Sequence, residues 1–295
     1  MQDFETLKRS IESTRDLESV VRTMKTLAAV SIRQYEQAVD SLEDYSDTVY
    51  CGLEMVLSKS LSDSHLPDGP ASGTIGMILF GSDQGMCGQF NEQLETYAEE
   101  YFTATDLVRR KQAWMIVGSR MRGKALDSGH EVDFDFSLPG SATGIAPLVS
   151  EMLAKIDQWR HQRRLSEIYI FYNQRESAST YKPHVVQLLP VDPTKFHRKD
   201  QGPSTSRSLP LYTMSRTTLL SRLIQQYLFV SLFRACAESL AGENASRIAS
   251  MQAAERNIKE RLMNLQAEFN QRRQTAITEE LLDVVTGFEA LKDAE

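Results

Sequence analysis

Two uninterrupted helical periods, one at each end of the chain, constrain this sequence more than any other feature. In the first, Leu17, Val21, Met24, Ala28, Ile32, Tyr35, Val39, Leu42, Tyr45, Val49, Leu53 and Val56 recur every three or four positions. Their mean period, about 3.5 residues, is that of a coiled coil rather than a straight helix. Pro67 is the first proline, and Gly52 is the only glycine before the loop that follows. A helix over residues 3–58 would be roughly 80 Å long at ~1.5 Å per residue, far longer than a globular domain needs. From about Ser215 the period returns: Leu219, Leu223, Tyr227 and Val230, then Ile248, Met251, Glu255, Ile258, Leu262, Leu265 and Phe269, then Ala276, Leu281, Val284 and Phe288. Glu255 is the one polar residue in the middle of that seam. No proline follows Pro210, so roughly 110 Å of helix is expected. Neither stripe can be buried on a domain of this size. Each can be buried on the other, which requires the two helices to run antiparallel, with each seam side chain contributing about 1.5–3 kcal/mol. The second helix then overhangs the first by several turns.

Between the helices the pattern changes. SDSHLPDGPASG (62–73) is a turn-rich break. Short apolar runs at 74–80, 113–118, 131–136, 167–173 and 184–191 alternate with helical stretches. That alternation predicts a mostly parallel sheet with helices packed on it. Residues 192–208 read as an irregular surface loop. The expected fold class is therefore α/β: a long antiparallel coiled coil of N- and C-terminal helices with a central, mostly parallel, Rossmann-like domain. The expected boundaries are 1–60 for the first helix, 74–192 for the α/β domain and 209–291 for the last helix.

Composition narrows the function by exclusion. The 295 residues carry a net charge of −7, which opposes binding to nucleic acid through phosphate contacts. No run approaches the ~20 apolar residues of a membrane helix. The start, MQDFETLKRSIES, has no apolar core followed by a cleavage site and carries acids that a transit peptide would avoid, so neither a signal nor a transit peptide is expected in it. These features predict a cytosolic chain, or one held at a membrane by partners. Three distant cysteines (Cys51, Cys87, Cys236) fit neither a disulfide framework nor a zinc site, and no two of the five histidines stand at a metal-ligand spacing. No metal and no cofactor are expected.

One loop invites a chemical reading. FGSDQGMCGQFN (80–91) follows a strand and opens a helix, the place of a phosphate-binding loop. Its glycines are spaced GxxxGxxG, and no lysine accompanies them. A tight strand-to-helix turn is the better account. Ser82 and Asp83 have no nearby histidine to complete a nucleophilic arrangement. Asp133 and Asp135 alternate along a strand and are expected on one solvated face. RHQRR (160–164) ends a helix, where cations oppose the macrodipole. No catalytic centre emerges.

Near the C-terminus, FNQRRQTAITEELLDVV (269–285) places the polar run Arg272, Arg273, Gln274 between two apolar stretches, with Thr278 one turn on. Either this is a solvated face, or the helix is gripped by other proteins. Three segments carry a resemblance that decides between them. SIESTRDLESVVRTMKTLAAVSIRQYEQA is similar to the first coiled-coil helix of the gamma subunit of F-type ATP synthases, with Met24 at its recurring methionine. SDQGMCGQFN resembles that family's SDRGLCGGLN signature, with Gln84 and Gln89 as departures. The last helix resembles the family's most specific segment, and its FN-x-x-RQ-x-x-IT run is nearly complete. The likeness covers essentially the whole chain.

The resemblance implies a central rotor shaft that couples ion flow through the membrane c-ring to ATP synthesis or hydrolysis at beta subunits. It implies three alpha and three beta subunits, epsilon and the c-ring as partners, no nucleotide bound by the chain itself, and a peripheral position on the cytoplasmic face of the bacterial inner membrane. By this resemblance Arg273, Gln274 and Thr278 fall on positions that hydrogen-bond a loop of a beta subunit. Met24 faces the beta ring, and Glu243 and Arg247 match a second polar contact. Leu281, Val284, Val285 and Phe288 match a tip that turns in an apolar sleeve. AAVSIRQYEQA stands where the family carries AASKMRKA, a loss of basic residues that points to a divergent or alternative member. The plant-type insert with paired cysteines is absent. Two other readings remain: a nucleotide-binding α/β enzyme with helical arms, and a generic coiled-coil scaffold.

Overall fold

The computed structural model describes residues 2–58, 73–105, 107, 110–176, 180–192 and 212–292. The turn-rich break, apart from Gly73, and the expected surface loop beyond Asp192 lie outside the described residues, as does the side chain of Phe288. Helix α1 spans Gln2–Ser58 and helix α5 spans Arg216–Lys292. Between them come β1 (Thr74–Phe80), α2 (Phe90–Ala104), β2 (Gln112–Val117), α3 (Ser119–Asp127), β3 (Val132–Phe136), α4 (Ile145–Arg163), β4 (Leu165–Arg175) and β5 (Tyr181–Leu189). The strand order is β3-β2-β1-β4-β5. All neighbours are parallel except β4 and β5, which pair antiparallel. The chain divides into two compact units, Met1–Leu27 with Ile248–Glu295, and Ala28–Arg247.

In the larger unit the sheet is covered on both faces, as parallel sheets must be. On one face Ile78, Phe80, Met115, Val117 and Ile170 pack with α4 (Ile145, Met152, Trp159), with Leu53 and Leu57 of α1, and with Leu232, Cys236 and Leu240 of α5. On the other face Met77, Leu79, Ile116 and Phe171 pack with Leu94, Ala98 and Phe102 of α2 and Met121 and Ala125 of α3. The near-continuous apolar runs of β1 and β2 follow from this two-sided burial. α1 and α5 run antiparallel here: Tyr45 bonds Gln226 at 2.6 Å, and Arg216 bonds the carbonyl of Val56 at 2.8 Å. Gly242 lets α5 approach β4, because a Cβ there would lie 2.9 Å from the carbonyl oxygen of Asn173.

Edge strand β3 overturns one expectation. Asp133 and Asp135 were expected on one face, but the β2–β3 register slips between Trp114/Val132 and Met115/Phe134, leaving Asp133 as an extra residue. Such a bulge reverses the alternation. Asp133 therefore turns towards α4, where it accepts hydrogen bonds from the Trp159 indole (2.8 Å) and from Arg163, and it is largely buried. Asp135 turns to the opposite face and pairs with Arg122 of α3.

The smaller unit is an antiparallel helix pair. Leu7, Ile11 and Val21 of α1 are buried, as are Met251, Leu262 and Leu265 of α5. Thr14, Glu18 and Lys25 fill the remaining three-four steps of the α1 seam. Leu17, expected in that seam, is instead 54% exposed. In the larger unit Tyr45 likewise faces outward, and buried Ser46 takes the seam position. Polar residues thus occupy seam positions that a purely apolar pattern cannot register.

Candidate functional site

The polar loop after β1 is the first place to look for chemistry, and its groups are engaged within the protein. Asn91, at the start of α2, accepts the amide of Ser82 at 3.0 Å and donates to the Ser82 hydroxyl at 2.9 Å. The carboxylate of Asp83 accepts the amides of Ser119 and Leu138, both at 2.7 Å, and so closes the N-terminus of α3, whose own cap is a glycine. Gly81 is required by packing, since a Cβ there would lie 2.2 Å from Cβ of Met121. α5 lies against the same loop: Ser239 donates to the carbonyl of Phe80 at 2.9 Å, and Ser246 donates to that of Cys87. The signature that reads like a phosphate loop thus joins the sheet to the last helix.

Glu243 and Arg247 sit one helical turn apart at this junction. They pair with each other at 2.5 Å, and Arg247 also donates to Asn244 Oδ1 at 3.1 Å. Their side chains are 6% and 12% exposed. Burial pushes the Glu243 carboxyl up from its ordinary value, against the opposing pull of Arg247. Burial also raises the Cys236 thiol and the Tyr35 hydroxyl, with Glu243 adding to both.

In the smaller unit, Glu255, the polar residue of the seam, takes Lys25 at 2.5 Å across the helix pair and Lys259 at 2.9 Å along its own helix. Hydrogen bonds from these two lysines hold its carboxyl down at about 2. Met24, beside Lys25, is half-buried. It lies on the border of a second apolar strip, outward of the buried seam: Leu17, Val20 and Leu27 are 54%, 49% and 62% exposed. The signal was present in the sequence, because 17, 20, 24 and 27 follow three-four spacing.

Phe4 and Phe269 meet at the end of the pair, with ring centroids 4.3 Å apart and planes tilted by 36°. Beyond Phe269, every residue of α5 from Asn270 to Thr286 is exposed. Arg272 is tied to Glu268 of its own helix at 2.6 Å, and the Thr278 hydroxyl donates to the carbonyl of Gln274 at 2.9 Å. Arg273 has no ion-pair partner among the described residues. Next come Ile277, Leu281, Leu282, Val284 and Val285, all between 49% and 70% exposed. The arrangement offers hydrogen-bond donors and then an apolar surface. Met24 belongs to α1 of the smaller unit, the polar band and tip to α5 of that unit, and Glu243 and Arg247 to the larger one.

Comparison with known proteins agrees along the whole length. The model of the family described as ATP synthase matches residues 3–291. The ATP synthase gamma chain of Nitratidesulfovibrio vulgaris is 27% identical over 303 residues, covering 99% of this chain and all of that one. The ATP synthase gamma chain of Geotalea uraniireducens is 27% identical over 296 residues with the same coverage. The fold is also similar to a chain of the Euglena gracilis mitochondrial ATP synthase rotor (TM-score 0.61, 15% identity, 94% of this chain and 99% of that one). A chain in the central stalk and c-ring structure of the Tetrahymena thermophila mitochondrial ATP synthase gives 0.59 at 16% identity, covering 80% of this chain and 99% of that one. With its three sequence signatures and a family match spanning nearly every residue, this chain belongs to the ATP synthase gamma family.

Proposed function

We propose that this chain is the central rotor shaft of an F-type ATP synthase, coupling ion flow through a membrane c-ring to synthesis or hydrolysis of ATP at beta subunits. It acts as a non-catalytic subunit. Its partners are three alpha and three beta subunits, epsilon and the c-ring, and it lies peripherally on the cytoplasmic face of a bacterial inner membrane. Among the described residues no helix is long and apolar enough to cross a membrane. The single observation that carries the reading is the exposed length of α5 beyond Phe269, where a polar band precedes an apolar tip.

The chemistry of that surface suits a turning contact. Leu281, Val284 and Val285 form no directional bonds, so an apolar sleeve around them resists rotation little at any angle. Phe288 extends the same spacing. Arg273, Gln274 and Thr278 supply hydrogen bonds that require a defined geometry, and so favour particular angles against a beta subunit. On α1, Met24 with Leu17, Val20 and Leu27 presents an apolar face to the same ring. Glu243 and Arg247 satisfy each other, so a lower ring contact is made through Arg247, the more exposed of the two.

Capture of the full chain from its native membranes tests this directly. Recovery of alpha and beta subunits with the chain is the expected result. Recovery of the chain without them, from membranes that retain both, overturns it. Labelled ATP added to the isolated chain should show no saturable binding.

A further inference from the structure

We propose that Glu95, Glu99 and His130 form a site for one divalent transition-metal ion of the zinc class. Glu95 and Glu99 are one turn apart on α2, so their carboxylates share one edge of that helix. His130 follows α3, whose end is closed by backbone bonds. The Gly129 amide, at φ 84°, reaches the carbonyl of Leu126, and the His130 amide reaches that of Ala125 at 2.9 Å. This glycine-dependent closure fixes the His130 backbone. The imidazole is then held flat against Trp114, with ring centroids 3.9 Å apart and planes 20° apart.

The three potential ligand atoms all lie within 4.8 Å of one another. Two of them are anomalous. Oε1 of Glu95 and Nε2 of His130 are both buried, and neither has a hydrogen-bond partner. Glu95 itself is only 5% exposed. Buried polar atoms are nearly always satisfied, so two orphans beside one another mark a missing neighbour. A proton on Nε2 does not supply one, because Oε1 of Glu99 stands 3.6 Å away, beyond hydrogen-bond reach. Lys124 pairs with the other oxygen of Glu95 at 3.1 Å, which fixes the carboxylate and leaves Oε1 turned to the cluster.

A cation at the centre satisfies all three atoms. Zinc binds imidazole nitrogen and carboxylate oxygen at about 2.0–2.2 Å, which separates tetrahedral ligands by roughly 3.4 Å. The His130–Glu99 pair is already near that spacing, and exposed Glu99 is free to close the remainder. Three protein ligands leave a fourth position for water on the Glu99 side. The imidazole favours transition ions over magnesium or calcium, which prefer all-oxygen sites. The ion would tie α2 to the turn after α3, within the larger unit and away from the polar band. The sequence hides such a site, because its ligands are 35 residues apart at the extremes and show no chelating repeat.

Trp114 makes the site measurable. The full chain, stripped of metal and held at micromolar concentration, is titrated with Zn²⁺ and with Co²⁺ while tryptophan fluorescence and binding heat are followed. The expected result is one saturable equivalent, with Co²⁺ quenching Trp114. The other tryptophan, Trp159, packs on the opposite face of the sheet. Glu99→Gln, at an exposed position that should not disturb folding, weakens binding by about tenfold or more, and His130→Gln weakens it further. Absence of saturable binding below millimolar ion overturns the proposal. So does undiminished binding in Glu99→Gln and His130→Gln, which would place the ion elsewhere, for example at exposed Cys51. An equal response to Mg²⁺ overturns the zinc-class assignment.

Discussion

The Phe4 ring lies 4.3 Å from the Phe269 ring, and this pair marks where α5 loses the cover of α1. Up to Phe269, α5 has a buried seam; from Asn270 to Thr286 it has none. Ring pairs of this kind contribute about 0.5–1.5 kcal/mol beyond the area they bury. Phe4→Ala should therefore loosen the end of the pair without unfolding the sheet. Hydrogen exchange is expected to accelerate at residues 262–269 and to stay unchanged in β1 and β4. Uniform loss of protection would contradict this local role.

Arg273→Ala together with Gln274→Ala should lower ATP turnover of a reconstituted ring-plus-shaft complex while leaving helicity intact. Both replacements are favourable in helices. Both side chains are exposed, and among the described residues neither makes a hydrogen bond or ion pair whose loss would destabilise the chain, so an effect on stability stays within about 0.5 kcal/mol. A charge-assisted contact to a beta subunit, once removed, costs about 1.5–3 kcal/mol. That corresponds to roughly one to two orders of magnitude in a step that depends on it. Turnover equal to wild type, with unchanged circular dichroism, would return the band to ordinary solvated surface.

The isolated chain should self-associate through the tip. Leu281, Val284 and their neighbours leave a continuous apolar surface in water, and such patches seek cover. Sedimentation velocity is expected to show concentration-dependent association that Leu281→Glu with Val284→Glu abolishes. A clean monomer at high concentration in the wild-type chain would exclude it.

Arg247→Met should be far more damaging than the double replacement Glu243→Gln with Arg247→Met. The single change strands a carboxylate that is 6% exposed, at a cost of about 3–5 kcal/mol. The double change leaves no buried charge behind. Denaturation midpoints of the two variants, measured side by side, should differ accordingly. Equal midpoints would mean that the pair is not coupled.

Acid should release the Lys25–Glu255 clamp in a defined window. Lys25 first, and then Lys259, hold the Glu255 carboxyl at about 2 in the folded chain, below the roughly 4.3 of an unfolded glutamate. A depressed folded value means the contribution is complete above the unfolded value and is lost as pH falls towards the folded one. Wild type should therefore melt above Glu255→Gln at neutral pH, with the gap narrowing between about pH 4.5 and 2. A gap that stays constant across that window would sink the assignment.

What the sequence determined by itself is what repeats locally. α1 and α5 are legible because one apolar residue every three or four positions imposes a helix whatever surrounds it. β1 and β2 are legible because a short apolar run between helices must be buried on both faces. The polar band was legible as an interruption, Arg273 and Gln274 set within an otherwise apolar period. Which face of a helix meets a partner is a different matter, because it depends on the partner. Leu17 and Tyr45 follow the period yet face outward, while Glu18, Lys25 and Ser46 stand in the seam. A single extra residue at Asp133 reversed the faces of β3, and no local pattern announces a bulge. Only the folded chain brings Ser239 and Ser246 of α5 against the loop after β1, or carries His130 to Glu95 and Glu99. Those neighbours are chosen by packing between distant segments, and packing energy is a property of the assembled core rather than of any stretch of sequence.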